Sequence, residues 1–186
     1  MIALLGGSFN PPHLCHLLAA GLVLGEPDCE ECWLVPALSH PFGKELLPFG
    51  ERLALCEAMA TPFGSRISVC GIEGELGGTS YTVQTLEALR SKHPDKKFAW
   101  VIGSDNVADL PKWKEAERLP SLCSLWVVGR GGVDVTLPST LRRVGGISLP
   151  AISSTDIRSR VKEGKPIAGL VTAEVARRIA ERGLYR

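Results

Sequence analysis

Short apolar runs alternate along this chain with longer stretches in which apolar residues recur every three or four positions. The short runs predict buried strands at Ile2 to Leu5, Cys32 to Val35, Arg66 to Gly71, Phe98 to Ile102 and Leu125 to Val128. The longer stretches predict helices from Leu14 onward, from Gly50 to Ala60 and from Val83 onward. Because strands that alternate with helices pair in parallel, the pattern predicts an α/β fold built on a parallel sheet.

The loop between the first predicted strand and helix carries the strongest signal for chemistry. It reads Gly6-Gly7-Ser8-Phe9-Asn10-Pro11-Pro12-His13-Leu14-Cys15-His16. Glycines let the backbone approach a ligand closely, and Pro12 suits the entry to a helix. The first N–H groups of that helix have no partner within it, so an anion is expected to bind there. His13 and His16 share one helix face and are predicted to meet the same phosphate.

A histidine pair at this spacing also suits half of a metal site or two surface side chains. The glycines, the prolines, the strand before and the helix after favour the phosphate interpretation. The loop lacks the Lys-Ser/Thr end of a Walker A loop and the third glycine of a dinucleotide-binding loop. It resembles the signature of the HxGH nucleotidyltransferases, with Cys15 where that family usually carries glycine. We expect Cys15 to be a packed thiol, or a reactive one if it lies open beside the helix start.

Composition and charge narrow the classes of function. With 45% hydrophobic and 22% charged residues, residues 1–186 are predicted to form a single folded domain. The net charge of +1 gives no reason to expect a nucleic-acid partner, so phosphate chemistry must come from local placement of charge. No segment approaches the roughly 18 apolar residues that span a bilayer. We therefore expect a cytoplasmic protein with no membrane partner.

The six cysteines are expected to be reduced thiols, since most lie in apolar patterns. Cys29 and Cys32 form a CxxC pair, but without a second pair it predicts no zinc site. No residue is assigned to a metal. The sequence leaves the oligomeric state open, and a homo-oligomer is one option.

Two loops that follow predicted strands lie at the carboxyl edge of the sheet, where ligands bind in doubly wound proteins. The first carries His40 and Lys44, although a lone lysine in a loop is usually only solvated. The second is Gly103-Ser104-Asp105, followed further along the chain by Trp113. A tryptophan suits stacking on a flat ring, and it also suits a position that covers the core.

A polar stretch opens the helix predicted from Val83. Thr79, Ser80 and Thr82 are competent N-caps, which suit an ordinary helix start and an anion site about equally. No lysine or arginine is near in sequence, so backbone N–H donors would provide the attraction for an anion.

A second polar stretch, Ser153-Ser154-Thr155-Asp156-Ile157-Arg158, predicts another helix start. Ser153 or Ser154 can cap this helix, and Ser154, Thr155 and Arg158 fall on one side of it. Hydroxyls, terminal amides and a guanidinium together predict a clamp for a polyphosphate.

Gly78-Thr79-Ser80-Tyr81-Thr82-Val83 closely resembles a run that marks the bacterial nicotinate-nucleotide adenylyltransferases, a branch of the HxGH superfamily. Matching motifs run in register from Gly6 to Tyr185, and His40-Pro41-Phe42-Gly43-Lys44 resembles a rearranged Pro-Pro-His-Lys motif. The resemblance implies a Rossmann-like, doubly wound parallel sheet with helices on both faces, of the nucleotidyltransferase type. It also implies transfer of the adenylyl group of ATP, carried with Mg²⁺, to nicotinate mononucleotide in NAD biosynthesis.

The residue pattern and the resemblance together assign three groups of site residues. The catalytic group is His13, His16, Lys44 and Arg158. The ATP-binding group is Gly7, Ser8, Phe9, His16, Gly103, Asp105, Ser153, Ser154, Thr155 and Arg158. The group implied to bind nicotinate mononucleotide is Asn10, His40, Lys44, Thr79, Ser80, Tyr81, Thr82 and Trp113.

Two alternative functions stay open. One is another HxGH-type adenylyltransferase, with nicotinamide mononucleotide or a pantetheine phosphate as acceptor; the motif from Thr79 to Thr82 and the context of Trp113 argue against the pantetheine enzyme. The other is a non-catalytic nucleotide sensor, for which a damaged histidine or Arg158 would be the telling feature, and neither is damaged.

Two sets of arginines receive no role in binding. Arg52 is predicted to lie on a different face of its helix from the buried residues Leu53, Cys56 and Ala60. Arg142 and Arg143, in a polar stretch with no predicted strand, are expected to be a solvated pair.

Overall fold

The structure of the protein, a computed structural model, describes residues 1–39, 45–132 and 135–186. Within these ranges, six parallel strands form one sheet in the order β3-β2-β1-β4-β5-β6. The strands are β1 (Ile2–Gly7), β2 (Glu31–Pro36), β3 (Ile67–Val69), β4 (Phe98–Gly103), β5 (Ser124–Arg130) and β6 (Leu141–Leu149). This order is that of a doubly wound α/β protein, which confirms the predicted fold class.

Helices cover both faces of the sheet. They are α1 (Leu14–Leu24), α2 (Phe49–Ala60), α3 (Ile72–Leu76), α4 (Thr82–Lys92), α5 (Leu119–Leu122), α6 (Ser154–Lys162) and α7 (Ala173–Glu181). Shorter 3-10 segments span Thr61–Arg66, Ser104–Lys112 and Ala116–Arg118. Among the described residues, no helix is long and apolar enough to cross a membrane.

Two separate cores result, because successive side chains of a strand point to opposite faces. Ala3 and Leu5 of β1 belong to the core under α1, α2, α6 and α7, whereas Ile2 and Leu4 belong to the core under α3, α4 and α5. Burial on both faces explains why the inner strands have nearly continuous apolar sequences.

The outer strands differ from the predictions. β3 is shorter than Arg66 to Gly71, because Arg66 ends a 3-10 helix and its Nη2 donates to the Leu24 carbonyl at 2.9 Å. β6 was not predicted, since its sequence is polar and broken by glycines. Among the described strands it pairs with β5 alone, across a register shift after Val128, so it is an edge strand, and edge strands often carry polar residues.

Arg142 and Arg143 are exposed, as predicted for a solvated pair, but both also make contacts that the prediction did not include. The Arg142 guanidinium pairs with Asp28 at 3.1 Å and with Glu26 at 2.5 Å, and it lies 5.0 Å from the centroid of the Trp126 ring. Arg143 Nη2 donates to the Val135 carbonyl at 2.8 Å. These contacts fasten β6 to its neighbours.

We predict that Gly6→Ala destabilises the fold, because a Cβ at this position of β1 would overlap Cζ2 of the buried Trp100 in β4. Overpacking of this kind costs about 1 to 3 kcal/mol of unfolding free energy, measurable by urea denaturation. Gly50→Ala is the control, since a Cβ on Gly50 in α2 meets no heavy atom within 4 Å. Equal stability of the two variants would contradict this account of Gly6.

Candidate active site

The candidate site lies where the chain leaves adjacent strands toward opposite faces of the sheet. β1 and β4 pair directly, but β1 continues into α1 and β4 continues into Ser104–Lys112 on the other side. The crevice between such strand ends is the usual ligand site of a doubly wound sheet. The loop with the two histidines and the Gly103-Ser104-Asp105 segment meet here.

The two histidines lie together, as their spacing predicts. Their ring centroids are 3.8 Å apart, and the His13 backbone N–H donates to Nδ1 of His16 at 3.1 Å. Because Nδ1 of His16 accepts this bond, the proton of the neutral ring is on Nε2, a hydrogen-bond donor with no acceptor in the part of the chain that the structure describes. Nδ1 of His13 is buried and has no partner among the described residues.

Both imidazoles are neutral at pH 7. Burial, aided by the positive charge of Arg130, lowers the pKa of His13 to about 4. Burial lowers the pKa of His16 most, and the neighbouring His13 and Arg130 lower it further, so that it lies well below its usual value. His16 still keeps part of its surface open, so its ring can meet a ligand. The pair can therefore donate hydrogen bonds to a phosphate without carrying charge of its own.

Arg130, at the end of β5, supplies that charge and was missed by the sequence reasoning. Its Nη1 lies 3.3 Å from Oδ2 of Asp105, its Nη2 donates to the Ile152 carbonyl at 3.1 Å, and its backbone N–H donates to Oγ of Ser104 at 2.9 Å. A side chain at Gly103 would overlap the Asp105 carboxylate. The run Gly129-Arg130-Gly131-Gly132 at the end of a predicted strand was the available signal.

The helix predicted after Ile152 is α6, and it is fastened to the histidine loop. Ser153 is the N-cap, accepting from the Asp156 N–H at 3.1 Å, which confirms one of the two predicted caps. Ser154 Oγ donates to the Pro11 carbonyl at 2.8 Å. Arg158 donates from Nη1 to the Asn10 carbonyl at 2.8 Å and from Nη2 to Oγ1 of the exposed Thr155 at 3.3 Å. Three of the five guanidinium N–H groups thus have no partner among the described residues and can bind an anion.

The start of α1 is less open than predicted. The Leu14 N–H donates to the Leu170 carbonyl at 2.9 Å, which lies outside α1, so this amide has no partner within the helix, as expected, but is not open to an anion. The reason is that the segment before α7 packs against the helix start. Cys15 is buried and its Sγ donates to the Pro150 carbonyl at 3.1 Å, as expected for a packed thiol.

Asn10 and Phe9 turn their side chains inward. Asn10 donates to the Glu45 carbonyl and accepts from the Leu47 N–H, both at 3.3 Å, and from the Tyr185 hydroxyl at 3.0 Å. The buried Phe9 ring packs 4.7 Å from the ring of His16 and fills the space beside Gly7. Their predicted contacts with nucleotides, like those of Gly7 and the neighbouring Ser8, stay predictions.

The start of α4 differs from the prediction. Tyr81 is the N-cap, so the assignment of Thr79, Ser80 or Thr82 to this position is wrong. Ser80 Oγ instead accepts from the Leu38 N–H at 2.8 Å and from the Ser39 N–H at 3.4 Å, because the segment after β2 packs against it.

The surroundings of this helix start include one residue that is distant in sequence. The Lys114 ammonium lies 4.4 Å from the centroid of the Tyr81 ring, beside the half-buried Trp113. Thr79 is exposed and borders an open cavity of about 600 Å³, whereas Thr82 is half-buried. Lys114 therefore brings a positive charge close to the start of α4, which has no lysine or arginine near it in sequence.

His40 and Lys44 lie outside the described residues, and their predicted roles stay predictions.

Arg52 of α2 is the second residue that sequence reasoning missed. The prediction that it avoids the buried face is wrong, since its side chain is 1% exposed. Its guanidinium donates to carbonyls of Ser8, Ala37 and Leu38, which belong to the loops after β1 and β2. Only the fold reveals carbonyl partners of this kind.

Comparison with known proteins agrees with the geometry of the site. Residues 4–160 match the model of the cytidylyltransferase-like family. The chain belongs to this family. A relative from Anaeromyxobacter dehalogenans, named probable nicotinate-nucleotide adenylyltransferase, is 45% identical over all of this chain and 96% of its own length. One of the same name from Myxococcus xanthus is 41% identical over 99% of this chain and 94% of its own.

Two solved structures are similar to this chain in architecture. The nicotinic acid mononucleotide adenylyltransferase of Plasmodium falciparum, complexed with NaAD, superposes with a TM-score of 0.84 at 21% identity, covering 99% of this chain and 96% of that one. A putative nicotinate-nucleotide adenylyltransferase from Vibrio parahaemolyticus gives 0.74 at 25% identity, covering 100% and 94%. The resemblance found in the sequence is thereby confirmed.

We predict that the neutral state of His13 makes the fold sensitive to acid. Its pKa is about 4 in the folded protein and about 6.5 in an unfolded chain, so the unfolded chain binds more protons between these values. The free energy of unfolding should therefore fall as the pH drops from about 6.5 to about 4, by roughly 3 kcal/mol from this residue.

Urea unfolding of wild type and His13→Asn at several pH values in this range measures the effect. Asparagine is a good N-cap, so the variant should fold and show a flatter dependence on pH. His93→Asn, at the end of α4, controls for the loss of a histidine elsewhere. An unchanged dependence in His13→Asn would mean that His13 is not buried in its neutral form.

Proposed function

We propose that this protein transfers the adenylyl group of ATP to nicotinate mononucleotide, forming nicotinate adenine dinucleotide and pyrophosphate. The observation that carries the proposal is the pair of neutral imidazoles at the carboxyl edge of β1, with Arg130 close enough to lower the pKa of both rings and Arg158 bonded to the Asn10 carbonyl of the same loop. Full-length relatives that bear the name of this activity support it.

The reaction needs no protein nucleophile. The phosphate of nicotinate mononucleotide is mostly dianionic at neutral pH, since its second pKa is about 6. One of its oxygens attacks the α-phosphorus of ATP, and the bond from that phosphorus to the bridging oxygen of the β-phosphate breaks, which releases pyrophosphate. The protein must align the two phosphates and stabilise the negative charge that develops.

The site residues suit this task. Nε2–H of His16 would donate to an oxygen of the α-phosphate, and the free N–H groups of Arg158 would bind the leaving pyrophosphate. Arg130, with its partner Asp105, follows the strands next to β1 and would meet the ATP side of the site. In this arrangement the charge comes from arginines whose positions are fixed by hydrogen bonds.

Magnesium is proposed to enter with ATP. Among the described residues, no group of three or more His, Cys, Asp and Glu side chains lies close enough together to hold a metal ion. In nucleotide complexes Mg²⁺ is usually bound by phosphate oxygens and water, so ATP itself would provide most of the protein-independent ligands. Magnesium would neutralise part of the phosphate charge during transfer.

We predict that His16→Ala lowers turnover by roughly 100-fold or more, as expected when one preorganised donor to a developing charge is removed. Pyrophosphate release from ATP with nicotinate mononucleotide measures it, and circular dichroism checks that the variant is folded. His93→Ala is the matched control. Turnover of a folded His16→Ala protein within a few-fold of wild type would contradict the proposed role of the histidine pair.

We further predict that the acid is preferred over nicotinamide mononucleotide as acceptor. N–H donors at the start of α4 and the Lys114 ammonium favour a carboxylate, whereas an amide would leave a buried NH₂ group unmatched. Such a mismatch costs about 1 to 3 kcal/mol. The ratio of the two kcat/KM values should therefore be roughly 5 to more than 100.

The contribution of Lys114 can be separated from that of the helix. Because its ammonium is exposed, Lys114→Gln should lower the acid-to-amide ratio by only about 2- to 5-fold. Lys112→Gln is the matched control, since Lys112 is also exposed and its ammonium pairs with Asp109 at 2.7 Å. A wild-type ratio near one would overturn the predicted preference, and equal ratios in the two variants would exclude Lys114 from it.

A further inference from the structure

Arg52 is a buried cation, and its hydrogen-bond partners in the described ranges are backbone carbonyls. Nη1 donates to the carbonyls of Ser8 at 2.9 Å and Ala37 at 2.6 Å, Nη2 donates to that of Leu38 at 2.9 Å, and Nε donates to that of Leu47 at 2.9 Å. Among the described residues it pairs with no carboxylate, and the Phe49 ring lies 5.4 Å from its Cζ. The proposed mechanism makes no use of this group.

The carbonyls belong to two different parts of the site. Ser8 is in the loop that leads to the histidines, on the side proposed to hold ATP. Ala37 and Leu38 follow β2, and the Leu38 N–H donates to Oγ of Ser80 just before α4. Hydrogen bonds therefore run from the histidine loop through Arg52 and Leu38 to the side proposed to hold the acceptor.

Stability alone does not explain an arginine at this position. Burial lowers the pKa of Arg52, which reflects the cost of removing the charged group from water. A neutral amide could donate to some of these carbonyls without burying a charge. The planar guanidinium, however, holds donors in a fixed fork that can join several carbonyls at set distances. An arginine here therefore fixes the distance and orientation between the loop after β1 and the segment after β2.

We propose that Arg52 is a positioning residue that sets the distance between the loop after β1 and the segment after β2, and thereby aligns the acceptor phosphate with the α-phosphorus of ATP. This inference rests on the proposed function. It predicts that each substrate still binds its own half when the fork is lost, while anything that depends on the spacing of the halves is impaired.

The dinucleotide product is the probe for that spacing, because it spans both halves, whereas ATP and nicotinate mononucleotide each occupy one. For Arg52→Lys, which keeps the charge but not the fork, we expect calorimetry to show less than about 3-fold weaker binding of either mononucleotide. Binding of nicotinate adenine dinucleotide should weaken by about 10-fold or more, and kcat should fall by roughly 10- to 100-fold, since misplacement by about 1 Å has effects of that size.

Arg90→Lys is the matched control. Arg90 also donates to two carbonyls, those of Ser121 and Leu122, at 2.9 and 3.0 Å. These carbonyls precede β5, so they lie at the amino end of the strands, whereas the candidate site lies at the carboxyl end. The three affinities and kcat of this variant should equal those of wild type. Arg52→Gln is a second test variant, because its amide buries no charge and still donates to some of the carbonyls, so it is expected to fold even if the lysine variant does not.

The outcomes separate the positioning role from the proposed function. If wild type forms the dinucleotide but the Arg52 variants keep kcat, or lose affinity for mononucleotides and dinucleotide in equal measure, then Arg52 is only structural and the proposed function stands. If wild type forms no dinucleotide from ATP and nicotinate mononucleotide, the proposed function fails and this inference with it. Selective loss of dinucleotide affinity and kcat supports the positioning role.

Discussion

The site depends on the close approach of β1 and β4 in the middle of the sheet. Gly6 has no room for a side chain against Trp100, and Gly103 has none against the carboxylate of Asp105. The chain leaves these two strands toward opposite faces of the sheet, so a crevice opens between their ends. Because Gly6 and Gly103 have no side chains, the two strand ends can pack this closely. The histidines enter this crevice from the end of β1, and Arg130 enters it from β5.

The crevice combines neutral histidines with fixed cations. Burial and Arg130 keep both imidazoles uncharged in the free protein. A bound polyphosphate would place negative charge beside them and raise their pKa, so the same rings can donate hydrogen bonds or share a proton as charge develops. The arginines need no such change. Positive charge that is already oriented before the substrate arrives is the arrangement that stabilises a phosphoryl transition state most effectively.

Sequence reasoning predicted the features that depend on neighbouring residues. The inner strands, the shared face of His13 and His16 and the cap at Ser153 follow from apolar runs, helical spacing and capping chemistry. β6 could not be predicted in this way, because it is stabilised as a strand by its pairing with β5 and by the ion pairs of Arg142, which involve residues distant in sequence. Wherever a side chain is positioned by a distant carbonyl, the sequence contains no sign of the partner.

Carbonyl partners also explain how a protein with a net charge of only +1 can attract phosphates. On the surface, Arg177 is neutralised by Glu174 and Glu181, both at 2.5 Å. Arg158 instead bonds a carbonyl and a hydroxyl, which orient the guanidinium, and no described carboxylate compensates its charge. Since the field at a site depends on which charges are paired rather than on their sum, an arginine held in this way can keep a positive potential at the site of an almost neutral molecule, even though Arg130 pairs with Asp105.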